Sequence, residues 1–146
     1  MRSRRLLRVL VGYYGALQAG HILLILWVGL QYARSGQIGF PAQPPVGGWP
    51  AASIPWLVGN GALDLLVAGA GMVFALRFFR GGQGWFHWGV ASLAGALYSA
   101  GIFGAGTLPS GAWAMHPLAY GLLALLFAPI LPCLFVVITA RPERTA

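Results

Sequence analysis

Residues 56–79, WLVGNGALDLLVAGAGMVFALRFF, limit the possible folds of this chain more than any other stretch. The segment is long enough to cross a lipid bilayer as a helix, yet it contains Asn60 and Asp64. Insertion of a carboxyl group at the centre of a membrane helix costs about 2.5–3.5 kcal/mol, even on the more permissive insertion scales. Asp64 therefore needs a partner, a bound proton or a functional role.

Three further apolar segments accompany this one, and the composition agrees with a membrane protein. Hydrophobic residues make up 58% of the chain and charged residues 8%, against about 25% charged residues in soluble domains. The chain is short enough for a single membrane domain, residues 1–146. We predict an all-α, antiparallel bundle of four transmembrane helices, with spans at about residues 9–30, 56–76, 85–106 and 116–139.

The basic residues define an expected orientation in the membrane. All nine are arginines, and every one except Arg34 flanks an end of an apolar segment on the side that holds both termini. This is the distribution of the positive-inside rule, so both termini are expected in the cytoplasm, with the chain in a bacterial-type inner membrane. We attribute the net charge of +7 to topology and lipid headgroups, and not to binding of nucleic acid.

The first apolar run, residues 9–30, follows a basic N-terminus and resembles a secretory signal at first sight. It is longer than the roughly 7–15 residues of a signal core, so we expect a retained first helix. Tyr14, Gln18 and His21 recur in it at helical spacing. These three side chains share one face, which should point into the bundle.

Residues 31–55 are rich in proline and glycine, which excludes a regular helix or strand there. We predict a long outer loop that lies on the membrane surface, either as an ordered lid or as a contact for a partner.

The last two spans contain residues that predict how their helices pack and bend. Ala91, Gly95 and Ser99 give the third span a small-residue face for close helix packing, and Pro129 and Pro132 should kink the fourth span.

Residue counting places three polar side chains at one depth in the membrane. At 1.5 Å per helical residue, Asp64 and Tyr98 lie about 12 Å from the outer interface and His21 lies about 14 Å from it. Asn60 and Gln18 bracket that level. We therefore predict a buried cluster of His21 and Asp64 with Tyr98 beside it, opening towards the outer surface.

Two interpretations of this cluster remain open. A carboxylate beside an imidazole can share a proton and bind a polar head group, so the five residues could line a ligand site or a proton relay. Quinone or lipid are then candidate ligands. The cluster could equally be an interhelical network that only fixes packing.

Metal and haem chemistry find little support in the sequence. His21, His87 and His116 fall at different depths, so bis-histidine haem is not expected. A His21–Asp64 pair has too few ligands for a closed metal site. Cys133 is the only cysteine, which leaves no internal disulfide and no cysteine cluster. We therefore predict no metal site, and we find no constellation of catalytic residues.

Two quoted stretches resemble a known family. LVGNGALDLLVAGAGMVFALRFFRGG, together with RRLLRVLVGYYGAL at the start of the chain, resembles the first two helices of DoxX-like four-helix membrane proteins. The resemblance covers about the first half of the chain. It implies a four-helix bundle, a link to quinone or redox complexes, and a position for Asp64 equivalent to the acid of the family's second helix.

Three functions follow from these observations. The first is a small accessory subunit of a larger inner-membrane complex for energy conversion, held by contacts with other membrane subunits. The second is a stand-alone protein that binds a quinone or another small ligand. The third is a small transporter, which the missing internal repeat disfavours. A subunit should expose small-residue helix faces after its own helices have packed, whereas a stand-alone protein should bury them.

Overall fold

A computed structural model describes residues 2–39 and 41–140, and all regular structure in these residues is helical. Four helical segments are long and apolar enough to cross a membrane, which confirms the predicted all-α class with four candidate spans. The helices are α1 (Arg2–Ser35), α2 (Ser53–Phe79), α3 (Trp85–Thr107), α4 (Ala112–Met115), α5 (Pro117–Phe127) and α6 (Ile130–Thr139).

The ends of the first two helices differ from the predicted limits. α1 continues to Ser35, beyond the predicted end at residue 30. α2 begins at Ser53 and holds Pro55 in its first turn, where the missing N–H of proline removes no helical hydrogen bond. The connection between the two helices is therefore residues 36–52, shorter than the predicted 31–55.

The fourth span is divided into two helices at Pro129, as predicted, whereas Pro132 lies in the first turn of α6 and does not interrupt it. α5 ends at Phe127 and α6 begins at Ile130, with Pro129 between them. Carbonyl groups in the last turn of a helix lack helical partners and must be satisfied in another way. The Tyr13 hydroxyl of α1 donates a hydrogen bond to one of them, the Leu126 carbonyl, at 2.5 Å.

Small residues allow α1 and α2 to approach each other closely. A methyl group added at Gly15 would lie 2.9 Å from Ala75 Cβ, and one added at Gly71 would lie 2.8 Å from Gln18 Cγ. As the residue numbers increase along α1, the numbers of the residues that they contact on α2 decrease. The same opposite order holds between α2 and α3, where Gly89 faces Phe74 and Gly95 faces Val67.

A tightly packed core lies in the half of the molecule that holds the start of α1 and the end of α6. We call its residues the terminal core, and α1, α2, α3 and α6 all contribute to it. Its fully buried members make continuous apolar contact, and they are Val11, Tyr14, Phe74, Leu93, Ile130, Cys133 and Val137. α6 packs against both α1 and α3 here, which closes this half of the molecule.

The connection between α1 and α2 docks on the opposite half. The Tyr120 hydroxyl of α5 donates a hydrogen bond to the Gln43 carbonyl at 2.8 Å, and His116 Nε2 lies 3.0 Å from the Pro44 carbonyl. Within the connection, the Trp49 indole donates to the Ile38 carbonyl at 3.1 Å. The first two contacts tie Gln43 and Pro44 to the start of α5.

Replacing Tyr120 by phenylalanine tests this docking. The variant loses the only side-chain hydroxyl that bonds to the Gln43 carbonyl among the described residues, so we expect about 1 kcal/mol less stability. We also expect faster amide hydrogen exchange in residues 42–49. Tyr98→Phe is the matched control, because the Tyr98 side chain is exposed and should change neither quantity. Equal exchange in the two variants would contradict a docked connection.

Candidate functional site

Asp64 lies at the centre of a polar cluster between α2 and α3. The Asn60 amide, one turn earlier on α2, donates to Asp64 Oδ2 at 3.2 Å. The Ser99 hydroxyl of α3 lies within hydrogen-bond distance of both Asp64 Oδ1 and Asn60 Oδ1. The Ser99 hydroxyl has one proton and donates to one of these two oxygens, so each oxygen of the carboxyl group has a hydrogen-bonding group beside it.

His21 completes the cluster from α1. Its Nε2 atom lies 3.9 Å from Asp64 Oδ2, and the two side chains are 17% and 20% exposed. The imidazole also meets the ring of Phe127 edge-on, with the ring centroids 5.2 Å apart. The structure thus brings together three of the five predicted site residues: Asp64, His21 and Asn60.

Tyr98 and Gln18 lie elsewhere, which corrects the predicted composition of the cluster. The Tyr98 side chain is 66% exposed on the outer face of α3, and Ser99 contacts Asp64 in its place. One residue along a helix rotates the side chain by about 100°, so neighbouring positions cannot share a face. Gln18 is 1% exposed and packs over Gly71, and neither of its polar atoms bonds to another described group.

Ser99 was therefore the site residue that sequence reasoning missed. A signal for it exists in the sequence, because Ser99 belongs to the small-residue repeat that includes Gly95. Gly95 faces Val67 of α2, so the same face carries Ser99 towards Asp64 one turn later.

A cavity of about 530 Å³ adjoins the cluster. His21, Asn60 and Asp64 form its polar wall, and most of its remaining surface is apolar. α1, α2, α3 and α5 all contribute, and the connection between α1 and α2 covers it with Ile38, Pro41 and Ala42. A pocket of this size with one polar patch is typical of a site for a small molecule.

The other histidines do not reach this site. His87 is exposed near the start of α3, and His116 contacts the Pro44 carbonyl. Within the described part of the chain, no three His, Cys, Asp or Glu side chains lie close enough to share a metal ion.

Comparison with known proteins gives no relative from which a role could be inferred. No protein-family profile, curated protein or solved structure matches this chain.

Ser99→Ala tests how strongly the cluster joins α2 to α3. The variant removes the hydroxyl that bonds to Asp64 and Asn60, so we expect the free energy of unfolding to fall by about 1.5–3 kcal/mol, the range for hydrogen bonds to charged groups. Ser92→Ala is the matched control. Ser92 is also buried on α3, but its hydroxyl donates to the Gly89 carbonyl of its own helix and not to a charged group, so its loss should be smaller. Thermal denaturation in detergent would measure both, and equal losses would contradict the role of Ser99.

Proposed function

We propose that this chain is an antiparallel four-helix membrane protein that binds a small membrane-soluble molecule in the cavity beside Asp64. The observation that carries the proposal is the 530 Å³ cavity, with a hydrogen-bonded carboxyl group at one wall and apolar side chains over most of the rest. The proposal favours the ligand-binding interpretation of the cluster over the packing network, because a space of this size lies directly beside the carboxyl group.

The lining indicates the general form of the ligand. An apolar body fits the surface made by side chains such as Ile25, Leu57 and Leu123, where it exchanges lipid contacts for protein contacts. A polar end would meet Asp64 and His21, the only ionisable side chains of the described residues that form the polar wall. Quinones and lipids both have this division into an apolar body and a polar end.

The proposed orientation keeps both termini in the cytoplasm. Arg4, Arg5 and Arg8 begin α1, and Arg77 ends α2. The approach of Gly12 to Phe79 brings these two basic regions to the same end of the molecule. The cavity is then in the half of the bundle that faces away from the cytoplasm.

A tryptophan that fills the cavity tests the proposal. Ala124 lines the cavity on α5, whereas the next residue, Leu125, is exposed and does not line it. We expect native mass spectrometry of the wild type and of Leu125→Trp, extracted in mild detergent, to show the same small-molecule adduct. Ala124→Trp should lose that adduct while its helical circular dichroism stays unchanged. An adduct of equal occupancy in all three proteins, or in none, would contradict a ligand in this cavity.

A second candidate function, the accessory subunit of a redox or other energy-conversion complex, draws support from the outer face of α3. Small residues that are exposed there surround the single large side chain of Tyr98, and they are Ala91, Ala94, Gly101 and Ala105. Faces of this kind allow another membrane helix to approach closely. The same mass spectra test this candidate, because a subunit would appear together with other protein chains and a stand-alone protein would not.

A further inference from the structure

The described lining of the cavity contains one carboxyl group and no arginine or lysine. Asp64, which carries this carboxyl group, is the one acidic side chain among the described residues. His21 is the only described basic group that reaches the carboxyl group, at 3.9 Å. When His21 is neutral, nothing else in the wall compensates an ionised Asp64.

The hydrogen bonds at this wall leave Asp64 able to pair with a positively charged group. The Asn60 amide donates to Asp64, and the Ser99 hydroxyl, which has one proton, donates to either Asp64 or the Asn60 carbonyl. The donors of the described lining that remain for a neutral ligand are the ring N–H of His21 and the Tyr32 hydroxyl. A positively charged ligand group would complete this arrangement.

Aromatic rings line the same cavity. Tyr32, Phe103, Trp113 and Phe127 contribute from α1, α3, α4 and α5. The faces of aromatic rings attract cations, and groups of them bind quaternary ammonium ions by this means. An organic cation would therefore find both a carboxylate and aromatic surface in one apolar space.

We propose that the cavity binds a membrane-soluble organic cation, such as a quaternary ammonium or phosphonium ion, with its charge next to Asp64. This inference rests on the proposed function and specifies the class of its ligand. At pH values where the pair of His21 and Asp64 holds a proton, the cation competes with that proton, so binding releases it to solvent. The Ser99 hydroxyl of α3 bonds to Asp64, and Phe127 of α5 contacts the His21 ring. Neither residue titrates in the physiological range, so His21 is the titratable partner of Asp64 among the described residues.

Two probe ions of equal size and opposite charge, tetraphenylphosphonium and tetraphenylborate, test the charge of the ligand directly. A neutral decyl-benzoquinone is the third probe. We expect equilibrium dialysis in an uncharged detergent to show saturable binding of the phosphonium alone, weaker at lower pH, with release of a proton in unbuffered solution. Asp64→Asn should abolish the binding. Glu143→Gln, which removes the chain's other acid, should leave it unchanged.

The outcomes separate this inference from the proposed function. Binding of the borate or the quinone as tight as that of the phosphonium would overturn the cationic ligand but leave the cavity as a binding site. Phosphonium binding that Asp64→Asn leaves intact would overturn it as well. If no probe binds, the cation inference fails, and the adduct measurement on Ala124→Trp decides the proposed function separately.

Discussion

Replacing Asp64 by asparagine should both destabilise the protein and remove its small-molecule adduct. The new amide keeps only one of the two acceptor oxygens, the hydrogen bonds that remain no longer go to a charged group, and His21 loses its charged partner. Since a hydrogen bond to a charged group contributes about 1.5–3 kcal/mol, we expect the free energy of unfolding to fall by about 3 kcal/mol. Thermal denaturation in detergent measures the loss of stability, and native mass spectrometry measures the adduct.

Asp64→Glu is the control for this prediction, because it keeps the charge and changes only the length of the side chain. It should retain part of the adduct. The two readouts also distinguish the two interpretations of the cluster. If Asp64→Asn loses stability but keeps the adduct at wild-type occupancy, the cluster is an interhelical network alone, and the ligand is held elsewhere.

Replacing Gly15 by alanine should weaken the contact between α1 and α2. The added methyl group would lie 2.9 Å from Ala75 Cβ, and neither of these atoms can turn away because each is fixed to its backbone. The two helices must then move apart beside the terminal core. Overpacking of a buried contact in this way costs about 1–3 kcal/mol.

Gly20→Ala is the matched control on the same helix. Nothing lies within 4 Å of a methyl group added there, so only the higher helix propensity of alanine remains, which stabilises by up to about 1 kcal/mol. The difference between the two variants in thermal denaturation isolates the effect of crowding. Equal stabilities would show that α1 and α2 do not approach as closely as Gly15 and Ala75 indicate.

The spans could be predicted from the sequence because length and hydropathy determine them locally. The ends of the helices could not be predicted as well. Pro55 was assigned to the connection, but a proline is compatible with the first turn of a helix, and α2 starts before it. The docking of Gln43 and Pro44 on α5 depends on residues more than 70 positions apart, and the sequence contains no local signal for it.

The candidate site was predicted only where a short spacing determined it. Asn60 and Asp64 are one turn apart on one helix, so their contact follows from the helical period. The partner on α3 depends on how that helix is rotated, and depth alone does not distinguish Tyr98 from Ser99. The close approach of Gly95 on α3 to Val67 on α2 determines the rotation of α3 about its axis. Only the folded structure reveals this contact between helices.

The break at Pro129 has a consequence for how a molecule could reach the cavity. In the described chain, α6 packs against α1 and α3, whereas α5 does not pack extensively against α1 or α2. α5 is bound to the connection through Tyr120 and His116, and to α1 through the Tyr13–Leu126 hydrogen bond and the contact of His21 with Phe127. A hinge at Pro129 that swings α5 and the connection outward together would open the cavity at the cost of these two contacts with α1. The opening would face the lipid and leave the terminal core undisturbed, so a bound molecule could exchange directly with the bilayer.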